Sequence, residues 1–417
     1  MAKRIYLCLA HMSETGLEQK YIKEAFDTNW VVPLGPNVNG FEADLEAFCG
    51  LNKRVVALSA GTAAVHLALL ACGVGPGDEV LVQSFTFCAS SHPITYLGAT
   101  PVFIDSERDT WNMDPELLER AIIDRKEKTG KYPKAIVPVA LYGMPYKIDR
   151  IMEIANKYEI PIVEDAAEGF GSCFNGQVLG TFGKYGVLSF NGNKMITTSG
   201  GGALITTSED EWRKIMMYAT QYRESYPYYQ HEKIGYNYRM SNICAGIGRG
   251  QMTIVNNHIA HHKHVQKLYE ELLKDVKGVS VHSQPTTGEY DSNYWLCTIT
   301  IDPGVKIKGQ ENAYKTIVKG AVGGAAGVIH VADSATTDCQ PNDNVEALRV
   351  FMDEAGIEAR PVWKPMHKQP VYKNAPAYIN GVSEAVFKVG MCLPAGPYVT
   401  DEDVNYIVGT IKNAIAE

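Results

Sequence analysis

A single lysine, Lys194, stands in a polar, glycine-rich turn within SFNGNKMITTSGGGA, between the apolar runs GVLSF and GALITT. A loop lysine is ordinarily a solvated cation. One that is desolvated or set beside other positive charge becomes a nucleophile toward carbonyls. Upstream by 194 − 165 = 29 positions, the apolar run in IPIVEDAAEGFGS ends on Glu164-Asp165. A carboxylate there either caps the next turn or lies at the carboxyl edge of a parallel sheet, where ligands of open α/β sheets gather. About 100 positions earlier, SAGTAAVHLAL (59–69) puts Gly61 and Thr62 at a strand-to-helix junction. That junction is either a plain helix start or a phosphate site, since glycine lets an anion approach the first N–H groups.

Taken in chain order, a phosphate cradle, an acid and an amine are the parts that pyridoxal 5′-phosphate requires. The acid keeps the pyridine nitrogen protonated, and the amine holds the aldehyde as a Schiff base. Phe87, in QSFTFCASSHP just past DEVLVQ, offers an aromatic face for the ring.

These residues need a scaffold that gathers strand ends. From Arg54 onward short β-rich runs alternate with helical stretches: RVVALS, DEVLVQ, TPVFIDS, KAIVPVAL, IPIVEDAA, GVLSF and GALITT, with TAAVHLALLACG, DPELLERAIIDRKEK and KIDRIMEIANKYE between them. Continuous apolar strands separated by helices predict an α/β fold with a mostly parallel sheet covered on both faces. Helices are expected at 16–29 and 40–50, and a long one at 241–274. From Val279 strands and helices alternate again, as expected of a second, smaller domain. The weakly patterned segment 303–343 reads as a surface excursion, or else as a lid or oligomer contact.

Composition narrows the class. The 417 residues are 45% hydrophobic and 21% charged, which excludes disordered and fibrous chains. Lys plus Arg is 39 and Asp plus Glu 47, a net charge of −8 with no basic block, so neither nucleic acid nor an anionic membrane is an expected partner. The nine cysteines are scattered without a Cys-x-x-Cys pair, and no apolar run approaches the ~20 residues of a membrane span. With too short an apolar stretch at the N-terminus for a signal peptide, the expected compartment is the cytoplasm. His258, His261, His262 and His264 lie at helical spacing, but no nearby acid completes an HExxH pattern, and metal binding is not expected.

Eight segments together, WVVPLGPNVNGFE, SAGTAAVHLAL, DEVLVQSFTF, GATPVFID, VEDAAEGFGS, SFNGNKMITTSGGGA, GYNYRMSN and EARPVWKPMH, resemble the DegT/DnrJ/StrS family of nucleotide-sugar aminotransferases over nearly the whole chain. The resemblance implies the fold of type I pyridoxal-phosphate aminotransferases. This is a large domain (1–255) with a seven-stranded, mostly parallel sheet between helices, followed by a smaller α+β domain (256–417). It implies Lys194 as the Schiff-base lysine and proton shuttle, Asp165 as partner of the pyridinium nitrogen, and Phe87 as the stacking ring. Gly61, Thr62 and Ser189 become phosphate contacts. Asn237 would reach the phosphate of a neighbouring subunit, so a homodimer with shared active sites is implied. Trp30, Arg239 and His367 become substrate-side candidates, though by its residue type alone Trp30 reads first as core and Arg239 reads equally as structural. Tyr222 and Arg223 lead into a tyrosine-rich loop, SYPYYQHEK, that either folds over substrate or is plain surface.

Two positions depart from the family pattern. Many members carry glutamine three residues after the aspartate, against the cofactor's phenolic oxygen, where this chain has Glu168. A second carboxylate beside an anionic oxygen is unfavourable unless it is protonated or turned toward substrate. Many members also read Thr-Gly-Glu-Gly-Gly where this chain has Thr198-Ser199-Gly200-Gly201-Gly202. That variant and RPVWKPMH are most similar to the subgroup acting on UDP-4-keto-6-deoxy-N-acetylhexosamines. The expected reaction is transfer of an amino group, with glutamate as donor, to the 4-keto carbon. The alternatives are 3-amination of a dTDP- or GDP-linked keto sugar and a non-catalytic pyridoxal-phosphate-binding regulator. Dehydrating relatives replace the lysine with histidine, so Lys194 argues against dehydration.

Overall fold

The structure, a computed structural model, describes residues 4–50, 52–314 and 339–416. Helices α1 (Leu17–Asp27) and α2 (Pro36–Cys49) open the chain. The alternating region follows as β1 (Arg54–Leu58), α3 (Gly61–Ala71), β2 (Glu79–Gln83), α4 (His92–Tyr96), β3 (Thr100–Ile104), α5 (Pro115–Thr129), β4 (Ala135–Val137), α6 (Ile148–Lys157) and β5 (Val163–Asp165). A short ribbon of β6 (Cys173–Phe174) and β7 (Gln177–Val178) precedes β8 (Tyr185–Ser189), β9 (Gly202–Thr206) and α7 (Glu209–Ala219). All seven expected runs form strands. KAIVPVAL shortens to three residues because Pro138 brings no N–H to the ladder.

The second part of the chain comprises α8 (Asn242–Met252), α9 (Val255–Leu273), β10 (Val279–Val281), β11 (Tyr290–Asp291), β12 (Cys297–Ile301), α10 (Asp343–Glu354), β13 (Arg360–Pro361), β14 (Ala377–Tyr378), α11 (Val382–Val389), β15 (Gly390–Leu393) and α12 (Asp401–Ala414). The helix expected over 241–274 is two helices. The Thr253 hydroxyl donates to the Gly250 carbonyl at 2.6 Å, and Ile254 leaves helical geometry at φ −119°, ψ 2°. The core of the 303–343 excursion, 315–338, lies outside the described residues.

The main sheet has two halves, ordered β1-β9-β8-β5 and β4-β2-β3-β14. Parallel bridges Ile136–Ile162 and Val139–Asp165 join them between β5 and β4. Only β9 runs against its neighbours, so the sheet is mostly parallel, as expected. Successive residues alternate between two cores: Val55, Ala57 and Leu81 pack with α2, α5 and α6, while Val56, Leu58, Val80 and Val82 pack with α3 and α7. That double burial is why these strands read as unbroken apolar runs. A smaller antiparallel sheet, β10-β12-β15-β13, carries its own core with α9, α10 and α12. Two pairings tie the chain's ends across these units: β14 joins the main sheet beside β3, and Ile5 bridges Ile357.

Candidate active site

The carboxyl ends of the main strands open onto a cavity of about 300 Å³. Gly61, Thr62, Phe87, Asp165, Glu168, Ser189 and Lys194, seven positions singled out from the sequence, all line it.

Asp165 ends β5, a central strand. Its backbone N–H donates to Pro138 and its carbonyl accepts from Ala140, both at 3.0 Å, so the carboxylate is fixed in place. Oδ2 accepts the Ser90 hydroxyl at 2.6 Å and Oδ1 the Ala167 N–H at 3.1 Å. Burial pushes this carboxyl above its ordinary value. The bonds from Ser90 and Ala167 and the charge of Lys194 pull the other way, toward the carboxylate.

Lys194 lies in the loop between β8 and β9. Phe190 N–H donates to Gly201 and Thr198 N–H to Phe190, closing the loop. Trp295 Nε1–H donates to the Asn193 carbonyl at 2.6 Å, and His258 Nδ1 lies 3.0 Å from the Met195 carbonyl. The lysine amine sits 4.0 Å from the centre of the Trp295 ring and 3.6 Å from Glu168 Oε1. Glu168 is buried, and its Oε2 accepts the Tyr142 N–H at 2.7 Å. Tyr142 holds a left-handed backbone, φ 54°, and its hydroxyl accepts the Trp363 N–H at 2.7 Å. Burial raises the Glu168 carboxyl, with Lys194 opposing.

Another wall of the cavity is a helix start without a cap. The residue before α3 is Ala60, whose side chain makes no capping bond, so the first-turn N–H groups face the cavity mouth beside the Ser189 hydroxyl. Glycine is required here by close approach. A Cβ on Gly202 would lie 2.4 Å from the Gly61 nitrogen, and one on Gly61 would lie 3.1 Å from Ser189 Cβ. An amine, a hydrogen-bonded carboxylate, an uncapped helix start and the half-exposed face of Phe87 fit pyridoxal phosphate in charge and in kind.

Four other candidates lie elsewhere. Arg239 pairs with Glu42 and donates to the Ala57 carbonyl. His367 is enclosed, Nδ1 2.7 Å from the Ser84 hydroxyl and Nε2 3.2 Å from Glu384. Trp30 packs over Gly35, its carbonyl accepting from Asn242. Asn237 is exposed, away from this chain's own cavity, beside a bridge to Thr220. The four histidines do not converge. His258 and His262 turn Nδ1 to backbone carbonyls, His264 meets Asp401, and burial lowers His262 to about 3. Sequence reasoning missed Ser90, Tyr142, Trp295 and Trp363. Trp363 stands inside the quoted EARPVWKPMH, whereas Trp295 lies about 100 positions from Lys194 with no local pattern to flag it.

A doubly covered α/β sheet with this edge defines an enzyme of the pyridoxal-phosphate aminotransferase type. The sequence profile of the DegT/DnrJ/EryC1/StrS aminotransferase family matches residues 13–312 and 324–412. EpsN of Bacillus subtilis (strain 168), described provisionally as a pyridoxal phosphate-dependent aminotransferase, is 42% identical over 98% of this chain and 95% of its own. GDP-perosamine synthase of Caulobacter vibrioides is 33% identical over 96% of each chain. The crystal structure of a DegT DnrJ EryC1 StrS aminotransferase from Brucella abortus superposes with a TM-score of 0.81 at 26% identity, covering 97% of this chain and 96% of that one. The chain belongs to the DegT/DnrJ/EryC1/StrS aminotransferase family, and it is a nucleotide-sugar aminotransferase. Among the described residues, no helix is long and apolar enough to cross a membrane.

Proposed function

We propose that this cavity transfers an amino group from glutamate to the 4-keto carbon of a nucleotide-linked 4-keto-6-deoxy sugar, with a UDP-linked N-acetylhexosamine as the substrate. The carrying observation is that Lys194, Asp165 and the uncapped start of α3 line one cavity. The SFNGNK…TTSGGG and RPVWKPMH segments support the choice of sugar. The name of the Caulobacter relative supports a nucleotide-linked amino-sugar product and makes GDP the nucleotide to test against UDP.

When bound, pyridoxal phosphate supplies an aldehyde that takes up an amine and a ring that spreads the charge left when a carbon loses its proton. The protein's share is positional and electrostatic. Asp165, whose carboxylate form the Ser90 and Ala167 bonds favour against burial, would as a carboxylate favour a protonated ring nitrogen. The first N–H groups of α3 and the Ser189 hydroxyl hold the phosphate. Lys194 takes a proton from one carbon and returns it to another, a role worth roughly 10²–10⁴-fold. Phe87, Trp295 and Trp363 wall the cavity and keep water from the reacting atoms. Asn237, facing away from its own cavity, suits the neighbouring subunit's phosphate in a homodimer.

The test is borohydride reduction of the holoprotein followed by peptide mass spectrometry, and, on separate unreduced holoprotein, exposure to glutamate and to UDP-, GDP- and dTDP-4-keto-6-deoxy sugars. Label on Lys194, a glutamate-driven loss of the visible band and a 4-amino UDP-sugar are expected. An unlabelled Lys194 would sink the reading. A preference for GDP or dTDP, or a 3-amino product, would overturn the substrate choice alone.

A further inference from the structure

The Lys194 amine and Glu168 Oε1 lie 3.6 Å apart at the cavity wall, side chains 13% and 4% exposed. Glu168's other oxygen is fixed by the Tyr142 N–H, and its backbone carbonyl accepts from Asn293 Nδ2 at 3.0 Å, so the carboxyl cannot swing away to water. The groups facing it are few. Lys194 is the cation that acts on it most strongly. Asp165 adds a like charge, and the Tyr142 phenol and the Cys392 thiol are neutral groups whose titration burial pushes up. A buried carboxylate so placed is tolerable only while its cation remains.

We propose that Glu168 is a proton carrier paired to Lys194, taking the ammonium's proton when the lysine nitrogen is committed to a carbonyl and returning it when the nitrogen is freed. The step balances: one N–H bond breaks, one O–H bond forms, and an ammonium–carboxylate pair becomes an amine–carboxylic acid pair. No charge leaves the cavity. As a neutral acid, Glu168 also has the hydrogen-donating capacity of the glutamine found in many relatives. This explains how a carboxyl is accepted at a position where a lasting charge would be unfavourable. Burial, the largest influence on Glu168, biases it toward the acid, and the Lys194 charge pulls the other way, toward the carboxylate.

The inference rests on the proposed function for its use in turnover, but its first test does not. Isotope-edited infrared titration of Glu168 in the cofactor-free chain should show its carboxylate band moving to higher pH by more than a unit in Lys194→Met, about tenfold in proton affinity. An unmoved band overturns the proposal. In the holoenzyme, Glu168→Gln keeps an acceptor for the Tyr142 N–H and still labels at Lys194 with borohydride. Its kcat should fall about 10²-fold, the lower end for positioned proton transfer, with KM unchanged and the acid limb of the pH profile lost. Glu168→Asp should restore that limb. Wild-type kcat and an unaltered profile in Glu168→Gln would defeat the proposal. An unlabelled Lys194 in the wild type would instead defeat the function reading and leave the infrared result standing.

Discussion

Two buried ion pairs in this molecule look alike on paper and do opposite work. Arg239 and Glu42, side chains 9% and 11% exposed, meet away from the cavity. Glu42 also accepts the Ala57 N–H at 2.7 Å, and Arg239 donates to the Ala57 carbonyl at 3.0 Å, so α2, β1 and the segment after α7 are pinned at one residue. Lys194 and Glu168 are as deeply set, but their 3.6 Å separation is too long for a full hydrogen bond, and one side of the pair is open cavity. Burial and charge are therefore common to scaffold and site. The mark of the site is bonding capacity left unspent and facing space.

The largest expected effect separates the pairs most sharply. Lys194→Ala should cut glutamate-driven amino transfer by roughly 10⁴-fold or more, since the proposed nucleophile and proton carrier would go together. Its urea midpoint should stay near wild type, because Glu168 can take up a proton rather than persist as an unpaired buried charge. Arg239→Ala should do the reverse. Glu42 is left without its cation, and unfolding free energy should drop by about 3–5 kcal/mol in urea titration, while the folded fraction still labels at Lys194. If Arg239→Ala instead abolished transfer at unchanged stability, Arg239 would belong to the site and the distinction would fail.

The same contrast explains what was legible in the sequence. The strands could be read because both faces are buried, Asp165 and Gly61-Thr62 because each sits at or just past the end of such a strand, and Lys194 because it is the one lysine in a glycine-rich turn between two of them. Trp295 and Ser90 could not. The first reaches the loop of Lys194 from the lead-in to β12, and the second reaches Asp165 from the turn after β2, contacts set by tertiary packing with no local period. Arg239 and His367 carried functional residue types and motif positions, yet their polar atoms are taken up by Glu42, Ala57, Ser84 and Glu384. A sequence shows what a side chain offers but not whether a neighbour has already used it. The break at Thr253 was invisible for a related reason, since it depends on a hydroxyl choosing a backbone carbonyl over solvent.

A smaller effect tests the comparison at its closest range, between adjacent residues. Glu164 and Asp165 share β5 and, by strand alternation, point to opposite faces of the sheet. Asp165 meets Ser90 and the cavity, whereas Glu164 turns into the packed side. There Oε2 accepts the Phe182 N–H at 3.0 Å and Oε1 is buried with no hydrogen-bond partner among the described residues. Burial, only partly offset by backbone N–H groups and Lys53, pushes Glu164 up to about 7. The sign follows from linkage. Below the ordinary glutamate range both folded and unfolded chains hold the proton, and nothing is lost. As pH rises toward 7 the unfolded chain ionises first, so stability falls, and the loss is complete above about pH 7, on the order of 3 kcal/mol. Glu164→Gln, fixed in the neutral shape, should remove that decline, so its urea midpoint should fall less than wild type between about pH 5 and about pH 8, with Lys194 labelling unchanged. Equal declines in the two proteins would show that Glu164 carries no such strain, and that facing the packed side does not set it apart from the acid next to it.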